Sequence, residues 1–307
     1  MSWRHRDRPT RAANARGNRS LAKMFYHLKK LVTNALGLDI AGRTLAVRPD
    51  DTFVISYPRS GNTWTRFLIA NLLHPDEPVT FLNIGRLVPD AEIQSNHYMR
   101  RVGSPRVIKS HSYFDPRYPR VIYIVRDPRD VAPSEYDLLR KYRRIEDGYP
   151  LERFIGDFLT GSGAVASAGW GTWGENVASW ALARGAKPGF LLVRYEDLKA
   201  HPEQEVARLA KFLGVEPSPP LLQTTLDRSS AERMREMEKT QGNQWGSSQY
   251  KNRRTDIPFV RTASVGEWTK NLGMESVAKI ESAWGHIMAQ LGYELVTRKS
   301  PQHEESR

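Results

Sequence analysis

No cysteine occurs in the 307 residues, which excludes disulfides, thiolate nucleophiles and cysteine-ligated zinc. No apolar run approaches the roughly 20 residues that a membrane-crossing helix needs. Residues 1–20 are rich in arginine and have no apolar core segment, so they do not read as a secretory signal. An organellar presequence is one reading of them, and a solvated, disordered basic tail is the plainer one. No H-x-x-x-H or carboxylate–histidine spacing suggests a metal site, and His74, His97, His201 and His286 lack a chemical context. Acids are in deficit: 34 Asp and Glu against 46 Lys and Arg leave a net charge of +12. That balance favours an anionic partner, and nucleic acid, an acidic membrane surface or a phosphorylated small molecule would all satisfy it. Hydrophobic residues make up 39%, which still supports a sizeable core once the polar ends are set aside. A soluble, cytoplasmic protein is expected.

What is present is ordered along the chain. Leu21, Met24, Phe25, Leu28, Leu31, Val32 and Leu36 recur at helical spacing, with Lys23, Lys29 and Lys30 on other faces. Such a helix docks on the protein's own core or lies on an anionic membrane; core packing is the commoner fate. Short apolar runs at 52–57 (TFVISY), 106–108, 121–125 (VIYIV) and 190–193 (FLLV) read as buried strands. Helical patterns at 62–73, 128–141, 175–183 and 203–213 alternate with them. This alternation predicts a parallel sheet covered on both faces, an α/β fold of three layers. Its ligands are expected at the carboxyl ends of the strands. The expected organisation is a basic tail (1–20), an amphipathic helix and lead-in (21–48), a single domain (49–296) and a polar tail (297–307). Segments 140–150 and 240–258 read as functional covers or disorder.

Directly after the first strand comes Tyr57-Pro58-Arg59-Ser60-Gly61-Asn62-Thr63-Trp64. A strand, a tight loop and a helix N-terminus make an anion site, because free backbone N–H groups and the positive helix end point into the loop. Gly61 permits close backbone approach, Ser60 and Thr63 offer hydroxyls, and Arg59 brings charge. The loop lacks the leading glycine and Lys-Ser/Thr pair of a Walker A sequence, which weakens the case for a P-loop kinase acting on a small molecule. An ordinary strand-to-helix turn would use the same residue types.

The octet YPRSGNTW resembles the 5′-phosphosulfate loop, YPKSGTTW, of the PAPS-dependent sulfotransferases. The resemblance implies that Arg59, Ser60, Gly61, Asn62 and Thr63 bind the 5′ phosphosulfate and that Trp64 lies beside the adenine. Arg59 stands where the family has lysine. Arginine is effectively never deprotonated, so Arg59 is expected to act as a catalytic charge clamp rather than a proton donor. Arg126-Asp127-Pro128-Arg129-Asp130, with Ser134 and Tyr136 behind it, resembles the family's 3′-phosphate motif and implies contacts from Arg126 and Ser134. A guanidinium fork suits phosphate; taken alone, Arg126 would pair with Asp130. Residues 259–268 (FVRTASVGEW) resemble the family's FxRKGxxGDW segment, which makes Arg261 a further 3′-phosphate contact. Thr262 and Ala263 replace its Lys-Gly pair. Tyr195, in VRYEDL, matches a position bordering the adenine, although a half-buried packing role is nearly as natural. Ala231 stands after Ser229-Ser230, where many members have a base-stacking phenylalanine.

Lys109-Ser110-His111 resembles the family's K-[TS]-H signature. It implies His111 as the base that takes the acceptor proton and Lys109 as a stabiliser of the moving sulfo group. Histidine suits this task because its ordinary pKa lies near neutrality. The resemblance runs from about residue 52 to 293 with the motifs in the family's order. It implies a P-loop-kinase-like three-layer α/β/α domain, PAPS as co-substrate, PAP as product and no metal. The acceptor would be a small molecule or glycolipid carrying a hydroxyl or amine, and no specific nucleic acid is expected. A competing reading is a basic RNA- or acidic-lipid-binding protein on an inactive scaffold of this kind, with peripheral membrane contact through the N-terminal basic segment. The family's dimerisation pattern is not evident.

Overall fold

The computed structural model describes residues 36, 38–165, 169–185, 187–241 and 253–297. Expectations for the basic tail, for the amphipathic stretch up to residue 35, for 242–252 and for 298–307 lie outside the described residues.

Four strands form one all-parallel sheet: β1 (Thr52–Ser56), β2 (Val107–Ser110), β3 (Arg120–Val125) and β4 (Phe190–Arg194), in the spatial order β2-β1-β3-β4. Each strand is short and rich in Val, Ile and aromatic residues, which suit a pleated surface packed on both sides. The period of two sorts the strand residues into two cores. Phe53, Ile55, Val121, Tyr123 and Val125 face one cluster, with Trp173, Trp180, Val277 and Ile280. Val54, Ile122, Ile124 and Val193 face the other, with Phe67, Leu68, Leu209 and Leu222. Each such side chain contributes roughly 1.5–3 kcal/mol on burial. Two dry faces on one sheet make the three layers.

The flanking helices are α1 (Asn62–Leu73), α2 (Pro128–Lys141), α3 (Leu151–Thr160), α4 (Trp173–Val177), α5 (Tyr195–Ala200), α6 (Pro202–Leu213), α7 (Pro219–Arg228), α8 (Ala231–Gln241) and α9 (Met274–Gln290). Helix α2 starts where Asp127 accepts a hydrogen bond from the Arg129 N–H, with proline next in the chain, a favoured N-terminal arrangement. Helix α4 opens with a capping box between Thr172 and Glu175 and widens into a π-turn over Ala178–Leu182. Among the described residues no helix is long and apolar enough to cross a membrane.

Most expected bounds hold within a residue, and two differ usefully. Strand β2 runs two residues further than its apolar run, because Lys109 and Ser110 stay in register with Val54 and Ile55 of β1. On its other side the Lys109 N–H donates to Pro89 O at 2.8 Å and Lys109 O accepts from the Ala91 N–H at 2.9 Å. Lys109 and Ser110 therefore belong to the sheet, and His111 follows its last residue. The helix expected over 175–183 begins at the capped Trp173. At the opposite end of the sheet, Arg106 grips Asp51 with two hydrogen bonds of 2.8 and 2.6 Å. Both side chains are buried, fixing β1 and β2 in register below the site.

Candidate active site

All four strands end at one rim. β1 delivers the 57–61 loop, β2 delivers His111, β3 delivers Arg126 and β4 delivers Tyr195. A cavity of about 650 Å³ lies there, lined by loop residues, His111, Lys109, Arg126, Ser134, Tyr195 and the 259–263 segment. The carboxyl-end location expected of a parallel sheet is where it lies.

The loop turns sharply. Arg59 and Gly61 have φ of 66° and 95°, and a Cβ on Gly61 would stand 2.6 Å from Tyr195 Cδ2. Only glycine fits between the loop and that ring. The amides that open α1 have no partners within the helix and remain available to an anion. Arg59 Nε donates to Ser134 Oγ at 3.0 Å and one Arg59 terminal nitrogen donates to Phe259 O at 3.3 Å. Thus a residue expected at the 5′ end of the nucleotide touches one expected at the 3′ end. Ser60 is fully buried with its Oγ unpartnered, and the Asn62 amide donates back to Ser56 Oγ at 3.1 Å. Asn62 thus braces the loop while lining the cavity together with Thr63, whereas Ser60 does not line it.

Trp64 and Tyr195 meet edge to face, with centroids 5.8 Å apart. Trp64 Nε1 donates to Ser229 O at 2.9 Å, and Lys199 lies over its ring. Arg126 lies over the other ring, 4.4 Å from the Tyr195 centroid. It donates to Ser264 O at 3.0 Å and stands 3.7 Å from Asp130, so the i,i+4 pairing expected for it in isolation does form. Its Nε is buried without a partner. Arg261 reaches the cavity and pairs with Asp137 at 2.9 Å.

The 257–268 segment is fastened by carboxylates from two helices. Glu238 on α8 accepts from the Phe259 and Val260 N–H groups at 2.6 and 3.0 Å. Asp130 on α2 accepts from Gly266 and Trp268 at 2.8 and 2.9 Å. Ala263, in the place of the family's glycine, adopts φ 54°.

His111 is held at both of its ends. Its ring Nδ1 lies 2.7 Å from Ser56 O. A carbonyl only accepts, so the proton sits on Nδ1 and the Nε2 lone pair is free. Burial, then the Lys109 charge, pushes its pKa down to about 4, so the ring is neutral at pH 7. Its backbone N–H donates to Glu92. The same carboxylate accepts from Lys109 Nζ at 2.5 Å and from Ser110 Oγ at 2.8 Å. Asp90 adds a second acid 3.1 Å from Lys109. Lys109 is therefore already charge-compensated, which the motif did not indicate. Attraction to Lys109 and His111 outweighs burial and holds Glu92 down at about 2, so it stays anionic. Glu92 was invisible in the sequence, since an acid 19 residues before His111 carries no local pattern. Asp130 could have been found, being part of the motif around Arg126.

The arrangement fits a bisphosphorylated adenosine. It offers an orphaned buried guanidinium nitrogen, a glycine that leaves room against a ring, an aromatic corner and an excess of cations over acids along the cavity wall. A sulfotransferase domain model matches residues 49–292. Sulfotransferase 1E1 of Bos taurus is 29% identical over 241 residues, 72% of this chain and 77% of that protein. The 3-beta-hydroxysteroid sulfotransferase of Cavia porcellus is 28% identical over 259 residues, 79% and 85% of the two chains. A retinol dehydratase solved with androsterone and the inactive cofactor PAP shares the fold, with a TM-score of 0.66 at 19% identity over 85% of each chain. With the domain match spanning most of its length, this chain belongs to the sulfotransferase family.

Proposed function

We propose that the protein transfers a sulfo group from PAPS to a hydroxyl or amine of a small-molecule or glycolipid acceptor, with His111 as the general base. The observation that carries this is the Nδ1–H contact to Ser56 O. It leaves a neutral Nε2 lone pair beside a cavity whose other wall is the anion-binding loop. In this reading the loop amides, Arg59 and Thr63 hold the 5′ phosphosulfate. Trp64 and Tyr195 border the base, and Arg126, Ser134 and Arg261 hold the 3′ phosphate. Bound PAPS supplies an activated sulfo group, whose S–O bond to the nucleotide breaks as the acceptor atom bonds sulfur.

The chain's residues do the rest. His111 Nε2 takes the acceptor proton. Arg59 offsets the charge that collects on the departing oxygen. Lys109 acts less as a free cation than as one strut of the Glu92 brace that aims the histidine. The catalytic unit is residues 49–296, acting in the cytoplasm. Relatives named for steroid and retinol chemistry support an acceptor with an apolar body.

The test is an acceptor screen with labelled PAPS, run on wild type and His111→Ala. Loss of general-base catalysis should lower turnover roughly 10²–10⁴-fold while PAP affinity stays within about three-fold. Unchanged turnover in His111→Ala would remove the base assignment. A protein stabilised by ATP and magnesium but not by PAP would instead be a kinase.

A further inference from the structure

Three acids line the cavity: Asp90, Glu92 and Glu135. The first two are spent on Lys109. Glu135 is different. It is 8% exposed, and among the described residues it forms no hydrogen bond or ion pair. Its Oε2 is shut off from solvent and unpartnered. A carboxyl buried this way is costly unless something completes it.

Its position says what that partner is. On α2 and its C-terminal cap, residues 135, 138, 139 and 142 share one face at i, i+3, i+4 and i+7, and Glu135, Leu138, Leu139 and Tyr142 all line the cavity. One acid thus sits at the end of an apolar and aromatic wall, one residue beyond Ser134. Burial raises the Glu135 pKa, with the nearby Arg59 and Arg144 charges drawing it back. Neither guanidinium is within ion-pair distance, and Arg59 is committed to Ser134 and Phe259. An anionic donor on the loop would claim Arg59 further and add negative charge beside the carboxyl. The ligand that then satisfies Glu135 is a cation joined to an apolar body.

We infer that Glu135 is an acceptor-specificity residue, receiving the ammonium group of an amphiphilic amine whose apolar part lies along Leu138, Leu139 and Tyr142. This rests on the sulfotransferase reading, and it narrows the acceptor from any hydroxyl or amine compound to one carrying a protonated nitrogen.

The experiment is isothermal titration of PAP-loaded protein with tyramine and with 4-ethylphenol, which share a ring and hydroxyl and differ in the ammonium. Wild type should bind tyramine at least ten-fold more tightly. Glu135→Gln, which keeps an acceptor oxygen but loses the charge, and Glu135→Leu should both bring the ratio to about one. Equal wild-type affinities, or a preference that survives in Glu135→Gln, would overturn the assignment while leaving sulfo transfer intact. If wild type fails to bind PAP, the broader reading falls and takes this one with it. Should neither variant fold well enough to bind PAP, the wild-type ratio decides alone.

Discussion

Glu92 holds three consecutive residues, Lys109, Ser110 and His111, through one carboxylate. Its charge also acts on the histidine. Burial depresses the His111 pKa most, Lys109 and Arg66 add to that, and Glu92 opposes it, with Asp90 paired to Lys109 behind it. Removing the Glu92 charge leaves Lys109 less compensated, so the His111 value moves further down. Glu92→Gln should therefore lower kcat about ten-fold and shift the acid limb of the pH–rate profile to lower pH. A loss of packing alone would lower the rate by one factor at every pH, and that outcome would reduce Glu92 to scaffolding. At this scale the sequence was legible where a motif is contiguous, as in Lys109-Ser110-His111. It was silent where the fold brings a distant side chain, as with Glu92 and Glu238. Ser60 shows the converse, since a contiguous motif does not reveal which of its side chains is fully buried and does not line the cavity.

Among elements, α1 and α2 were readable to the residue, because apolar periodicity coincides with a loop on one side and proline on the other. The end of β2 was not, since its last residues are polar and pair through backbone alone. The 259–268 segment was readable as a motif but not as a shape. Ala263 holds φ 54°, a left-handed conformation that disfavours a Cβ by about 1–2 kcal/mol. Ala263→Gly should raise the urea midpoint by an amount equivalent to about 1 kcal/mol with an unchanged slope. An unchanged midpoint would mean that the segment carries no strain there.

For the whole molecule, the +12 charge announced an anionic partner without naming it. The layers were legible because strand residues of both parities are apolar, which only a sheet covered on two faces requires. Folded protein that binds PAP, and unfolded chain that does not, gives a linkage measurable by thermal unfolding. At PAP about 100-fold above its Kd the added stability is about 2.7 kcal/mol, a rise in Tm of roughly 4–5 °C for a chain of this size. ATP with magnesium should produce far less. Equal shifts from the two nucleotides would show that the 3′ phosphate is not read.

The carboxylates of Glu238 and Asp130 grip amides at Phe259, Val260, Gly266 and Trp268. Every amino acid except proline carries such an amide. The path of this stretch is thus insured against drift in the side chains between the two grips. A Lys-Gly pair can become Thr262-Ala263 while Arg261 still arrives at the cavity, so substrate preference is free to diverge here without the architecture being renegotiated.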